Sequence, residues 1–258
     1  AIPTEQNTSK EFSISADPWY NEDWSYRKNV SIEGSVGATT DYQVIVNVSK
    51  TDHAETETGF VDVRFTDNDG VTLLDYWMEV YEPANNWDAF AVFWVEVADD
   101  LDSNQSIYMY YGNDAVSTTS NGEDTFLFYE DWDSETVDAG RWDVKTSDGS
   151  ISYAAGGATH GTLATISGNA GTDVWHIESD LHLSVPFATR FRSNLEQTVA
   201  SNQRTIQGLG SFWGATEPAV LIWNSEGGEG VMYSDDDGNQ DLNPTNGSLL
   251  GVQTIWES

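Results

Sequence analysis

A run of acidic and amide side chains near the end of this sequence is its strongest candidate for binding a metal ion. Oxygen donors stand at every second position around a glycine: Asp235, Asp237, Asn239 and Asp241. Calcium prefers oxygen ligands, and alternating donors around a glycine turn are typical of its binding loops. An EF-hand loop would place a glutamate at its twelfth position, where this chain has Asn246. The run therefore predicts either a calcium site or an acidic hairpin turn without a metal.

Two other groups of side chains are weaker candidates for metal binding. Asp67 and Asp69 stand in a short turn that ends in Gly70, and a purely structural turn is the alternative. His176 and His182 bound a stretch in which two histidines and two carboxylates alternate with mostly apolar residues. In a strand these four would share a face and could bind zinc or form a pH-sensitive patch. The row is too long for one tetrahedral ion without a bulge, and a solvated polar face is the alternative.

The carboxylates near Glu178 come closest to the pattern of a glycoside hydrolase. A retaining glucanase needs two carboxyl groups about 5–5.5 Å apart, which the pattern Glu-x-Asp-x-x-Glu supplies along one bulged strand. Glu178 and Asp180 match its first two positions, but Leu183 stands where the acid should be. The sequence therefore predicts no enzymatic activity, with a glycoside hydrolase remnant as an alternative.

Tryptophans at strand ends are the residues best suited to bind a sugar. The chain has 11 Trp, and most must lie in the core because large aromatic side chains dominate core burial. Trp213 and Trp223 are predicted at strand ends, and Asn224 follows the second of them. These three residues form the predicted glycan-binding site.

These candidates must be positioned by β-strands, because apolar and polar residues alternate and no helical period is visible. A central hairpin is predicted at residues 64–81, with a half-buried strand around Phe65, the Asp-Asn-Asp-Gly turn, and a dense apolar strand. Arg64 alternates with core positions, so we expect it to form a buried ion pair with Asp62 or Glu79. Further strands are predicted at 24–32, 42–48, 90–97 and 107–111. This spacing of short strands and turns predicts an antiparallel β-sandwich.

The overall charge excludes several classes of partner. The chain of 258 residues has 43 acidic and 10 basic residues, a formal net charge of −33, which would repel nucleic acid and anionic membrane surfaces. Molar salt shortens the Debye length to about 3 Å, so this charge favours a salt-loving source. An ordinary acidic secreted protein neutralised by calcium is the alternative. The chain has no Cys, which excludes disulfides and thiolate metal sites.

Five sequons of the type Asn-x-Ser/Thr favour export and glycosylation. They begin at Asn7, Asn29, Asn47, Asn104 and Asn246. No stretch of about 18 apolar residues is present that could span a membrane. We therefore expect an exported chain that has already been processed, or else an intracellular one.

Five short motifs follow the order of one known family. They are W-S-Y-R-K at 24–28, D-Y-Q-V at 41–44, D-V-R-F-T-D-N-D-G at 62–70, D-Y-W-M-E at 75–79 and I-Y-M-Y-Y-G-N at 107–113. Residues 19–118 therefore resemble the domain of unknown function 2341, which occurs in surface and secreted proteins of archaea and bacteria. The resemblance implies a β-sandwich at the cell exterior, commonly followed by a lectin-like jelly roll, and it implies no catalytic residues.

A second sandwich is predicted after a linker. Residues 1–18 are interpreted as an N-terminal arm and residues 119–124, small and polar, as the linker. In residues 125–258, F-x-x-D-W-D at 128–133 followed by R-W resembles the first strand of concanavalin-like (LamG-like) jelly rolls. Such folds need more than these 134 residues (258 − 125 + 1). We therefore expect a later segment or a neighbouring chain to supply strands at an unpaired sheet edge.

The sequence thus predicts an all-β protein of two tandem antiparallel sandwiches, of Ig-like and jelly-roll type, the second apparently truncated. The predicted role is a non-catalytic adhesion module on a cell or virion surface that binds a glycan or cell-surface polymer through the second sandwich. The alternative is a structural subunit of a filament, sheath or virion whose copies exchange strands through their sheet edges. Calcium is the only cofactor predicted.

Overall fold

The computed structural model divides the chain into two compact units. The first comprises Ala1–Glu135 and Tyr153–Ala164, and the second comprises Thr136–Ser152 and Thr165–Ser258. The structure describes residues 18–82, 89–145, 150–155, 162–167, 176–179, 190–193, 204–209, 219–225, 228–234, 240–244 and 254–257.

The first unit is an antiparallel β-sandwich of two three-stranded sheets. Its strands are β1 (Tyr26–Ile32), β2 (Tyr42–Ser49), β3 (Arg64–Thr66), β4 (Tyr76–Glu82), β5 (Phe90–Val97) and β6 (Gln105–Tyr111). One sheet has the order β1-β6-β3 and the other has the order β2-β5-β4, with every pair antiparallel. This arrangement confirms the predicted all-β class.

Apolar side chains on the facing strands fill the space between the two sheets. Val46 and Val48 of β2 are buried, in keeping with the alternation along this strand. The rings of Phe65, Tyr76 and Phe93 meet edge to face, with centroids 5.4, 5.5 and 5.7 Å apart. Edge-to-face contact is a preferred geometry of aromatic pairs and adds to the area that they bury. The core therefore joins β3 of one sheet to β4 and β5 of the other.

The predicted hairpin at 64–81 is wrong as a pair of hydrogen-bonded strands. β3 pairs with β6, whereas β4 pairs with β5 in the opposite sheet. The turn between them is closed by a bridge from Thr66 to Leu73, and Gly70 has a positive φ of 75° within it. Beyond this bridge the chain crosses from one sheet to the other. Phe65 and Tyr76, on either side of the crossing, are both buried in the core between the sheets.

Residues 119–124, predicted as a linker, are part of the first unit. A short helix, α1 (Gly122–Thr125), begins there, and the side chain of Asn121 caps it by accepting a hydrogen bond from the backbone N–H of Glu123. Asn and Ser are common in linkers, but they are also the residues that cap helices and bind backbone groups. The composition of residues 119–124 alone therefore does not distinguish a linker from a segment that caps a helix.

Aromatic side chains after α1 hold the chain against the outer face of the sheet β2-β5-β4. Phe126 lies on Trp77 and Trp94, with ring centroids 5.7 and 5.8 Å away. Tyr129 lies 5.1 Å from Trp77, and burial raises the pKa of its hydroxyl. The first unit therefore continues beyond the boundary predicted at residue 118.

The second unit adds further antiparallel strands. They are β7 (Trp142–Lys145), β10 (His176–Ser179), β11 (Arg190–Ser193), β12 (Arg204–Leu209), β13 (Ala219–Ser225), β14 (Gly228–Ser234), β15 (Gln240–Pro244) and β16 (Thr254–Glu257). β12 to β15 form a four-stranded sheet in chain order, β7 pairs with β10, and β11 pairs with β16. β8 (Ser150–Ala155) and β9 (Thr162–Ser167) pair with each other and contain residues of both units. No helix among the described residues is long and apolar enough to cross a membrane.

Candidate functional site

Most residues of the predicted calcium and glycan sites lie outside the described part of the chain. These are Asp235, Asp237, Asn239 and Trp213. Asp241 lies in β15 opposite Tyr233 of β14, so the acidic run joins two antiparallel strands. Trp223 and Asn224 lie in β13, close to its tight connection with β14. Calcium binding and glycan binding at these positions stay predictions.

β10 contains the first half of the predicted row of histidines and carboxylates. His176 and Glu178 are two residues apart in this strand, opposite Lys145 and Asp143 of β7. Asp180, His182 and Leu183 lie outside the described residues. The zinc site and the hydrolase pattern therefore also stay predictions.

The carboxylates of the turn after β3 are engaged by the turn itself. Asp69 Oδ1 accepts hydrogen bonds from the N–H groups of Val71 and Thr72, each at 2.8 Å, and its Oδ2 accepts one from Thr72 Oγ1 at 2.6 Å. These bonds favour the charged form and lower the pKa of Asp69. Asp67 Oδ1 in turn accepts from the N–H of Asn68. The bonds fix the conformation of the turn and give both carboxylates a structural use.

Asp99, which the sequence did not single out, joins this turn from the loop after β5. Asn68 Nδ2 donates a hydrogen bond to Asp99 Oδ2 at 3.2 Å. Burial raises the pKa of Asp99, and the negative charge of Asp67 acts in the same direction. Within the described residues, no group of three or more His, Asp or Glu side chains is arranged to hold a metal ion.

β3 and β4 form one margin of the sandwich, here named the closed margin, and Arg64 is its central residue. Arg64 is only 5% exposed. Its guanidinium donates to four uncharged acceptors: the carbonyl oxygens of Val61 at 3.1 Å, Val63 at 2.7 Å and Ser117 at 2.6 Å, and the hydroxyl of Tyr76 at 3.2 Å. The predicted ion pair with Asp62 or Glu79 is therefore wrong. Arg64 instead binds backbone carbonyls from two parts of the chain and a tyrosine hydroxyl from a third.

Asp62 is fully buried and binds backbone amides rather than a cation. Its Oδ1 accepts from the N–H of Glu57 at 2.8 Å, and its Oδ2 accepts from the N–H of Gly112 at 2.6 Å. Buried carboxylates require such partners, because an unsatisfied charge in the interior costs several kcal/mol. The polar residues that alternate with Val63 and Phe65 are therefore inside, so this segment is not the half-buried strand predicted.

Residues 117–121 run along β4 and complete the closed margin. The N–H of Asn121 donates to the carbonyl oxygen of Tyr76 at 2.9 Å, and the N–H of Met78 donates to Ser120 Oγ at 2.8 Å. A β-bulge also interrupts the pairing of β4 between Met78 and Val80. Bulges and covering segments are the usual protection of an edge strand against unwanted pairing.

β1 and β2 form the opposite margin, here named the open margin. They contain seven and eight residues, and among the described strands β1 pairs with β6 alone and β2 with β5 alone. A cleft of about 260 Å³ lies between them, lined by residues 28–30 of β1 and 45–48 of β2, with His53 and Met109. Val46, Val48 and Met109 are buried and form its apolar floor. Both strands thus line the same cleft.

Lys28 and His53 form a hydrogen-bonded pair at the open margin. Lys28 Nζ lies 3.0 Å from His53 Nε2, and His53 Nδ1 lies 3.2 Å from the carbonyl oxygen of Ser49. Because a carbonyl only accepts, Nδ1 carries the proton and Nε2 accepts from the ammonium group. Burial lowers the pKa of His53, and the charge of Lys28 lowers it further, which keeps the imidazole neutral as this hydrogen bond requires. Nearby, Lys50 Nζ likewise donates to a neutral group, Thr56 Oγ1, at 3.3 Å.

Three predicted glycosylation sequons fall in the described residues, and their asparagines are exposed. Asn29 and Asn47 lie in β1 and β2 and both line the cleft. Asn104 precedes β6, and its Oδ1 accepts from the N–H of Gly34 at 2.9 Å. Asn7 and Asn246 lie outside the described residues, and glycosylation at all five stays a prediction.

A known family matches the middle of the chain, from just before β3 onwards. Residues 59–145 match the family described as Domain of unknown function (DUF2341). The DUF2341 match contains the closed margin, β5, β6, α1 and β7, and it begins after β1 and β2. Three of the five motifs that indicated the family lie inside it, at 62–70, 75–79 and 107–113.

The match extends past residue 118, in agreement with the packing of residues after α1 on the first unit. No family match supports the concanavalin-like or LamG-like jelly roll predicted at residues 125–258. No curated protein and no solved structure matches the chain.

Proposed function

We propose that this protein is a non-catalytic extracellular module that joins other protein chains by strand addition at its open margin. The observation that supports this most is the difference between the two margins. β4 forms hydrogen bonds with residues 120–121, whereas β1 and β2 each pair with one neighbour among the described strands. An edge strand presents a row of backbone donors and acceptors to which an extended segment can bond. The role is that of a structural subunit of a filament, sheath or virion.

The net charge of −33 suits assembly in concentrated salt. Copies that carry this charge repel one another strongly at low ionic strength. In molar salt the Debye length falls to about 3 Å, so the repulsion between neighbouring surfaces is largely screened. Backbone hydrogen bonds between strands are between uncharged groups and keep their strength. Assembly by strand addition should therefore increase as the salt concentration rises.

A matched pair of lysine substitutions tests the proposal. Ile45 lies in β2 at the open margin and is 46% exposed, and Val71 lies in the turn after β3 and is 45% exposed. Ile45→Lys and Val71→Lys change the net charge by the same amount, but only the first places a charge on the proposed edge, where lysine discourages strand pairing. Native mass spectrometry and electron-microscope imaging in molar salt would measure the size of the assemblies.

We expect oligomers or fibres for the unmodified protein and for Val71→Lys, and mainly monomers for Ile45→Lys. Circular dichroism in the same buffer would confirm that all three proteins are folded. An unmodified protein that stays monomeric at every salt and protein concentration contradicts the proposal. So does equal assembly of the two lysine variants.

A further inference from the structure

We infer that the segment accepted at the open margin is residues 11–17 of a second copy of this chain, laid along β2. This inference rests on the proposed function, since it names the occupant of the same margin. β2 is the longer of the two edge strands, with eight residues. At about 3.3 Å per residue it is long enough to pair with a five- to seven-residue segment along its whole length.

The apolar residues of this segment have the spacing of the cleft floor. Phe12 and Ile14 stand two positions apart in the sequence E-F-S-I-S, so both project to one face when the segment is extended. Val46 and Val48 on the floor are also two positions apart and belong to the strand that would be paired. Two apolar side chains can therefore cover two apolar floor positions, while the alternating serines and Glu11 face the solvent.

Charge also favours this segment. Lys28 is one of only 10 basic residues in the chain, and its ammonium group contacts a neutral imidazole at the margin. The segment begins with Glu11 and ends with Asp17, so its charge is opposite to that of the lysine and adds a modest attraction.

The position of Pro18 explains why a second copy, rather than the same copy, is the partner. Its carbonyl oxygen accepts a hydrogen bond from Arg27 Nη1 at 2.6 Å and lies against Gly70, where an added Cβ would be 2.6 Å from that oxygen. Gly70 lies in the turn that connects β3 and β4, so the carbonyl oxygen of Pro18 is held beside the closed margin, although its donor Arg27 belongs to β1. The chain would have to return across the sheet β1-β6-β3 to reach its own β2. The outer face that it would have to recross is occupied by Trp19, Tyr20 and Arg27, which pack on Tyr110 or Tyr108.

The absence of cysteine from the sequence makes a clean cross-linking experiment possible. Ser13→Cys would be mixed with Asn47→Cys in molar salt and treated with a short bismaleimide, which tolerates small differences in register. The control mixture combines Ser13→Cys with Val71→Cys, which places the second thiol at an exposed site away from the open margin. We expect a cross-linked dimer of the first pair and little product from the control.

A second pair of variants measures the apolar contribution. Phe12→Ser combined with Ile14→Ser should raise the apparent dissociation constant of assembly by about tenfold or more, since two buried apolar side chains are lost. Ile2→Ser in the same part of the chain is the control and should change it little. If assembly depends on Ile45 but neither the cross-link nor the double variant has an effect, the occupant is a different segment. The inference then fails while the proposed function stands. If nothing assembles, the proposed function itself fails.

Discussion

The two margins of the first sandwich have the same strand architecture but are finished differently. At the closed margin, residues 117–121 form hydrogen bonds with Arg64 and with β4. At the open margin, β1 and β2 are longer than β3, and the described strands offer them one partner each. The comparison shows that edge protection is local, because it depends on particular polar side chains rather than on the sandwich as a whole.

The family match follows the same division. It begins at residue 59, after β1 and β2, and it includes Arg64, Ser120 and the rest of the closed margin. The buried polar residues of this margin leave little room for change, since removing one partner leaves the other unsatisfied. At the open margin, the buried polar residue that lines the cleft is His53, which lies before the match.

The largest expected effect comes from removing the charge at the centre of the closed margin. Arg64→Met should lower the free energy of unfolding by about 3 kcal/mol or more, because buried carbonyl groups lose their donor. Lys50→Met is the matched control, since it also removes one positive charge but breaks a single hydrogen bond to Thr56, and it should cost less than about 1 kcal/mol. Denaturant unfolding at fixed salt would measure both. Equal losses would show that Arg64 acts through net charge alone and would break the distinction between the margins.

A smaller difference is expected for two serines on opposite margins. Ser120→Ala removes the acceptor of the Met78 N–H and should cost about 1 kcal/mol. Ser31→Ala in β1 removes an exposed hydrogen bond to Asn29 and should have almost no effect. Hydrogen exchange provides a second measurement, since the Met78 amide should lose protection in the first variant alone. Unchanged protection at Met78 would mean that residues 117–121 do not seal this edge.

The smallest expected effect concerns the dependence of stability on pH at the open margin. The pKa of His53 is lowered from its ordinary value of 6.5, so the unfolded chain binds a proton before the folded chain does as the pH falls. The contribution of His53 to the free energy of unfolding is therefore fully present above its ordinary pKa. It decreases as the pH falls through that pKa towards the lower pKa of the folded protein. His53→Gln should flatten the curve of unfolding free energy between about pH 8 and pH 6, where few carboxylates titrate. A slope in this interval that is the same with and without the histidine would contradict the assignment of the neutral ring.

The sequence was a good guide wherever one side chain type implied one environment. Alternating apolar residues predicted β2, because period-two burial is a direct property of strands, and short apolar runs predicted β5 and β6, all within one or two residues of their ends. The turn at Asp67 to Gly70 was also predicted, because Asp and Gly are strongly favoured in turns. The class of fold follows from these elements.

The sequence was a poor guide where a polar residue had to find a distant partner. Arg64 was expected to pair with Asp62 or Glu79, yet Asp62 and Arg64 bind backbone groups of Gly112 and Ser117, about 50 positions later. Pairing across such separations depends on the folded chain and leaves no local signal. The same reason explains why β3 and β4 were assigned to one hairpin, and why Asp99 was not connected with the turn that it joins.

The neutral partners of the cations have a consequence for how this protein responds to its solvent. Arg64, Lys28 and Lys50 direct their charges at carbonyl, imidazole and hydroxyl groups. Added ions weaken attraction between opposite charges and repulsion between like charges alike, but within the described part of the chain these three cations contact no carboxylate. Salt therefore acts on the first unit mainly by relieving the repulsion among its carboxylates. The free energy of unfolding of the first unit should therefore increase steadily with ionic strength. A protein held together by ion pairs would instead be most stable at an intermediate ionic strength.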